Sequence, residues 1–234
     1  MSFDTEFQTF FYISPKKLLV SVFKKGSVND IYKDEIILEI NPEISTTFIN
    51  QFLDKNITII ERKIKSFVNK INLIIKDKEI LPIQISTKKQ NSGKRIIYNE
   101  LNYMLADLSQ QIKKNNNDKT VIHMNISEFI IDGKIYKSLE KELQGDNLSL
   151  NVSFYCFSKA KIKKFGDCLK RYQISIQNIY SIDYLENFFQ KSDLNECQMA
   201  FRYDDLNDTN EVKLVSKIKK KDGFFEKFFN LFSK

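Results

Sequence analysis

The sequence predicts an α+β fold, and three observations carry that prediction. Period-two alternation runs through Leu148, Leu150, Val152, Phe154 and Cys156, the mark of a half-buried strand. Helical spacing runs through Phe48, Ile49, Phe52, Leu53, Ile57, Ile60 and Ile64, and again through Leu101, Met104, Leu105, Leu108 and Ile112. The two kinds of segment are intermixed along the chain, with hairpins among helices, which is the α+β pattern.

In order, Phe10–Ile13 is a short apolar strand and Lys17–Phe23 a β-branched and aliphatic one. Lys24-Lys25-Gly26 is a hairpin signal leading to a third strand over Ile31–Ile40. Asn41 is a plausible helix cap with Pro42 at the first helical position, and the apolar spacing continues through Phe67, Val68 and Ile71. Strands follow at Ile71–Ile75 and Pro82–Ile85. Asn91-Ser92-Gly93 is a turn before a short strand over Arg95–Ile97, and a helix runs from Tyr98 to Lys114. Val121–Asn125 and Glu128–Ile131 read as two strands closed by an Asp132-Gly133 turn. After the alternating strand Leu148–Phe157, Ser158 caps a helix reaching Tyr172. Ile174–Ile179 is a last strand, residues 182–190 and 193–202 are short helices, and Asp204–Asn210 is a polar linker.

Composition narrows the function classes. The chain has 234 residues, 42% hydrophobic and 29% charged, a globular balance for one domain or two small ones. Cys156, Cys168 and Cys197 are an odd set with no paired spacing, and His123 is the only histidine, so a zinc site has no ligand set. Unpaired thiols with no signal peptide fit a reducing cytoplasm. No apolar run approaches the roughly 20 residues needed to span a bilayer, so membrane contact would be peripheral. No glycine-rich phosphate loop or nucleophile elbow is present. His123 lies in an apolar strand and reads as a core residue. Asp204 and Asp205 read as solvated linker.

The net charge of +7 suggests an anionic partner, nucleic acid or membrane. It is unevenly placed: the last 23 residues hold seven lysines against Asp222 and Glu226, which leaves +2 for residues 1–211. On a helical wheel, Phe224, Phe225, Phe228, Phe229, Leu231 and Phe232 form one arc, with Asp222 as a natural cap. Lys217, Lys219, Lys220 and Lys221 stand just before it. Bulky apolar residues on one face beside a basic cluster are the signature of an interfacial helix on an anionic membrane surface. Lys88-Lys89 and Lys163-Lys164 lack the interleaved aromatic residues of a nucleic-acid platform, so no nucleic-acid partner is expected.

The middle of the chain resembles the bacterial cell-division protein FtsA, an actin-like ATPase family. That family has a stretch reading roughly h-h-x-P-x-x-Y-x-h-D-G, then an alternating strand, then s-K-x-x-h-x-x-h-x-x-C-h. Here His123 to Gly133 match the first, without its Pro, and Ser158-Lys159 with Lys164 to Leu169 match the last. Upstream, Gln84-Ile85-Ser86 with Asn91-Ser92-Gly93 resembles the family's lead into this module, called SHS2 or 1C. The resemblance covers roughly residues 70–180. It implies an actin-like, ribonuclease H-like subdomain remnant over 1–85, an SHS2-type module over 86–180, short helices over 181–203, a linker over 204–221 and a membrane helix over 222–234.

The resemblance also locates a departure. The family opens with D-I-G-T-S-K, its phosphate-binding hairpin. Tyr12 stands at the Asp, Ser14 at the Gly, and Pro15, which has no amide to donate, follows, with Lys17 at the end of the turn. The hairpin reads as kept in structure and lost as a nucleotide site, so no cofactor and no ATPase activity are expected. No second phosphate loop follows Ile179, and the family's usual FtsZ-binding surface belongs to subdomains beyond that point, so the resemblance leaves FtsZ as a partner open. It implies a reduced FtsA-like adaptor on the cytoplasmic face of the inner membrane at the division site, offering its SHS2-like module to divisome proteins, with self-association open. A pilus assembly factor of the PilM kind shares the actin-like plan and is the alternative, together with a divergent ATP-binding protein.

Overall fold

The computed structural model describes residues 6–38, 45–96, 98–138, 143–190, 192–206 and 211–212. Strands β1 (Phe7–Ile13) and β2 (Lys17–Lys24) are buried on nearly every residue, without an exposed face. A strand of this kind must have both faces covered. The sheet it belongs to runs β3-β2-β1-β4-β9, with β3 at Asp30–Ile37, β4 at Lys70–Ile75 and β9 at Ser175–Ser181. β1–β2 and β2–β3 are antiparallel, whereas β1–β4 and β4–β9 are parallel. β3 is the edge strand, largely exposed and broken up by Lys33, Asp34 and Glu35, a charge pattern that discourages edge pairing.

Alternate residues of β1 and β2 point to opposite faces. Phe11, Ile13, Leu18 and Val20 pack on one side with Phe52 and Leu53 of helix α1 (Thr46–Ile64) and Phe165 and Leu169 of helix α3 (Lys159–Lys170). Phe10, Tyr12, Leu19 and Phe23 pack on the other with Leu185 of α4 (Ile182–Phe188) and Met199 and Phe201 of α5 (Glu196–Asp205).

Helix α1 is shorter than the apolar spacing predicts. Ser45 caps it, its hydroxyl accepting from the Thr47 amide at 3.2 Å, and the expected cap, Asn41 with Pro42, lies outside the described residues. It stops at Ile64 because Glu61 gathers the turn that follows. The amides of Lys65 (φ 54°) and Ser66 both reach the Glu61 carbonyl, and the Glu61 carboxylate accepts from Val68 at 3.0 Å. Val68 and Ile71 are buried against the same core, but as the approach to β4 and its second residue.

A second sheet, ordered β5-β8-β6-β7, is formed by β5 (Leu81–Gln90), β6 (Lys119–Ile131), β7 (Lys134–Tyr136) and β8 (Asn147–Ser158). Helix α2 (Tyr98–Asn115) covers one face, packing Leu101, Leu105, Leu108 and Ile112 on Met124, Phe129, Leu150 and Phe154. The alternation seen in residues 148–156 is fully realised in β8. Val121–Asn125 and Glu128–Ile131 form one strand rather than two, because the irregularities between them are bulges at Val121/His123 and Ile126/Glu128. Asp132 and Gly133 both take positive φ, 47° and 82°, in the tight turn to β7. Ser158 caps α3 as expected, accepting from the Lys161 amide. The expected boundary between residues 85 and 86 falls inside β5, and α3 and β9 pack with the first sheet. The α+β expectation holds throughout.

Phe201 ties α5 to the first sheet: it is fully buried, stacked on Phe23 at 4.6 Å and edge-on to Phe10 at 6.0 Å. Phe201→Ala is expected to cost about 3–5 kcal/mol of unfolding free energy, measured by urea denaturation.

Candidate functional site

The turn between β1 and β2 is closed on itself. The Ser14 hydroxyl accepts from the Lys17 amide at 2.9 Å and the Lys16 amide at 3.3 Å, and it donates to the Lys17 carbonyl at 3.0 Å. The Ser14 amide also donates to the Lys17 carbonyl at 3.0 Å. Pro15 contributes no amide. The amide donors that a phosphate would need are therefore engaged within the turn.

The lysine is engaged as well. Lys17 Nζ binds both carboxylate oxygens of Glu196, at 2.7 and 2.8 Å, on the first turn of α5. It also lies 5.5 Å from the centre of the Tyr12 ring. Tyr12 faces the α5 side of the sheet, and burial pushes its phenol up to about 12. The structure thus brings Tyr12, Ser14 and Lys17 together, and adds Glu196. Nothing in local sequence pairs residues 179 positions apart.

A second constellation surrounds His123, on β6. The ring is buried, as read from sequence, and fully wired. Its Nε2 accepts from the Ser181 amide at 2.9 Å, where β9 meets α4. That bond leaves the proton on Nδ1, which donates to Glu211 Oε1 at 3.1 Å. The ring stacks on Tyr184 at 4.1 Å, and Tyr155, Tyr180 and Tyr203 complete an aromatic cage. The Tyr184 and Tyr203 hydroxyls meet at 2.8 Å. Burial pulls the imidazole below its ordinary pKa, with Glu211 acting in opposition.

This node joins the second sheet to the first, and it corrects the reading of the linker. Asp204 and Asp205 are the last residues of α5, and Asp204 accepts from the buried Tyr180 hydroxyl. Glu211 and Val212 return to β6: Glu211 bridges Asn125, and the Val212 amide donates to the Met124 carbonyl at 2.8 Å. A cleft of about 320 Å³ opens beside the node, lined by Ser109, Lys113, Met124, Asn178, Tyr180 and Asp204.

The membrane-binding residues expected from sequence, Lys217, Lys219, Lys220, Lys221, Phe224, Phe225, Phe228, Phe229, Leu231 and Phe232, lie outside the described residues. Among the described residues, no helix is long and apolar enough to cross a membrane, and no group of three or more histidine, cysteine, aspartate or glutamate residues could hold a metal ion. The three cysteines are buried thiols.

No protein-family profile matches the sequence, and no curated protein matches it. Solved structures do match in shape. A PilM–PilN type IV pilus biogenesis complex is similar with a TM-score of 0.50 at 6% identity, over 79% of this chain and 49% of that one. At that score the likeness reaches the fold alone, the actin-like plan of PilM-type proteins. The cytoplasmic domain of EpsL, an inner-membrane component of the type II secretion system of Vibrio cholerae, aligns at 9% identity over 76% of this chain and 58% of that one, TM-score 0.38. A Bacteroides thetaiotaomicron protein with an actin-like ATPase fold aligns at 14% identity over 81% and 58%, TM-score 0.35. The chain spans about half the length of the PilM-complex chain that it matches. The likeness to the PilM complex goes no further than the fold, which FtsA-type and PilM-type readings share.

His123 supplies a prediction. A group with a depressed folded pKa binds fewer protons folded than unfolded, so stability falls with pH below its unfolded value. Unfolding free energy should hold steady above about pH 6.5 and fall below it, by up to about 1.4 kcal/mol per pH unit. As the chain has one histidine, His123→Gln should flatten the decline between pH 6.5 and 5.5 in thermal melts.

Proposed function

We propose that this protein is a non-catalytic actin-fold adaptor at the cytoplasmic face of the inner membrane. Phe224 to Phe232 and Lys217 to Lys221 hold it there, and the sheet β5-β8-β6-β7 with α2 meets protein partners of a membrane assembly. The observation that carries the reading is the β1–β2 turn. Its amides answer to Ser14, its lysine to Glu196, and Pro15 stands in the turn, so the site used by an actin-like ATPase for phosphate is committed to internal structure.

In its finer form the assembly is the divisome. The matches over residues 123–133 and 158–169 to the FtsA pattern support that form. The likeness to the PilM–PilN complex favours a second reading, a pilus-type assembly in which the same adaptor role is played for a different partner. A fluorescent fusion of the full chain separates the two: a band at the division site supports the first, and a dispersed or polar envelope pattern with normal septation supports the second.

Two measurements test the common reading. Titration with ATP and Mg²⁺ should show no binding at micromolar nucleotide, and micromolar affinity would overturn the non-catalytic assignment. The full chain should cosediment with anionic liposomes, and a chain ending at Val212, which keeps the Glu211–His123 bond, should not. Phe228→Asp should lose binding by placing a charge at the acyl boundary, while added salt should weaken the lysine contribution.

A further inference from the structure

The near-neutral body conceals two faces of opposite charge. α3 carries Lys159, Lys161, Lys163, Lys164 and Lys170 against Asp167 alone. Across the first sheet, α4 and α5 carry Asp183, Glu186, Glu196, Asp204 and Asp205 against Arg202. On α3, Lys161 is taken by Asp77 and Glu79, and Lys170 by Asp167. Lys163 and Lys164 are exposed and form no ion pair among the described residues.

These two lysines extend into a larger basic end. The Lys159 amide donates to the Asp118 carbonyl at 2.9 Å, which sets the start of α3 against the turn leaving α2. That junction adds exposed Lys114 from the last turn of α2, and Lys119, which pairs loosely with Asp118 at 3.6 Å, whereas Lys113 lines the cleft it shares with Asp204 and Glu211. Lys159 and Lys163 are one helical turn apart, on one face. Asp118 is the exposed acid within the junction, and Asp77 and Glu79 beside it are occupied by Lys161.

The direction of the chain is a second, independent observation. Glu211 and Val212 run antiparallel to β6, and so head toward its Lys119 end. The sequence that follows holds Lys213, Lys217, Lys219, Lys220, Lys221 and the phenylalanine-rich arc. At Val212 the chain is thus headed toward the end of β6 at which the lysine-rich end lies.

We propose that the end formed by Lys114, Lys119, Lys159, Lys163 and Lys164 is a second contact with the anionic leaflet, one that sets the orientation of the body. The inference rests on the membrane reading above. Lysines act here as point charges for lipid headgroups. The contact requires these ammonium groups within about 8 Å of the surface at physiological salt.

The test uses the full chain and vesicles of phosphatidylglycerol and phosphatidylcholine. Lys163→Glu/Lys164→Glu should bind at least about 30-fold more weakly than the parent, at about 1 kcal/mol for each lysine lost. Lys88→Glu/Lys89→Glu makes the same change in net charge from the far end of β5, about 30 Å away along the sheet, and should bind nearly as the parent does. Both pairs are exposed, and matching melts confirm folding. Equal binding by the two variants, whether both strong or both weak, overturns the proposal. So does a Lys163→Glu/Lys164→Glu chain that keeps vesicle binding and loses retention on DNA. If that chain binds weakly while Phe228→Asp binds normally, the basic contact stands and the helical anchor fails.

Discussion

Everything in the first sheet follows from the double burial of β1 and β2. Two strands with no exposed face require apolar cover above and below, and the four helices α1, α3, α4 and α5 answer that requirement in pairs. Because α5 must lie over Tyr12 and Phe10, Glu196 at its start is brought to Lys17. The packing demand of the sheet thus also decides the fate of the turn at its end. The Ser14 hydroxyl takes up the amides of that turn, and Glu196 takes up its lysine.

The His123 node performs a comparable service between the sheets. A buried imidazole with one nitrogen accepting from a backbone amide and the other donating to a carboxylate has no unsatisfied valence, so its burial costs little while its geometry is demanding. It draws together β6, the junction of β9 with α4, and the segment after α5. The tyrosines around it bury the ring, and that burial holds the imidazole neutral.

Much of this was legible in the sequence where the signal was local. Residues 148–156 announce β8, Ser158 announces α3, and the spacing from Leu101 to Ile112 announces α2. The reading failed where tertiary context outweighed local pattern. Val68 and Ile71 keep helical spacing with α1 because they bury against the same core, but Glu61 has already turned the chain. The polar residues around Ser127 look like a strand break, and a bulge absorbs them. The pairing of Lys17 with Glu196, and of His123 with Glu211, joins residues that no periodicity connects. Glu211 also sat within a stretch whose composition spelled linker, and only its return to β6 shows that it belongs to the body.

That return has a mechanical meaning. Any tension on the chain beyond Val212 enters the body at β6, along the axis of a strand held on its other side by β8. A pull along that axis loads the Glu211–Val212 attachment in shear rather than peeling it open one bond at a time. It reaches His123 before it reaches any helix. A body pulled at this point carries force through its inter-sheet joint, and the strain is felt first where the two sheets are fastened.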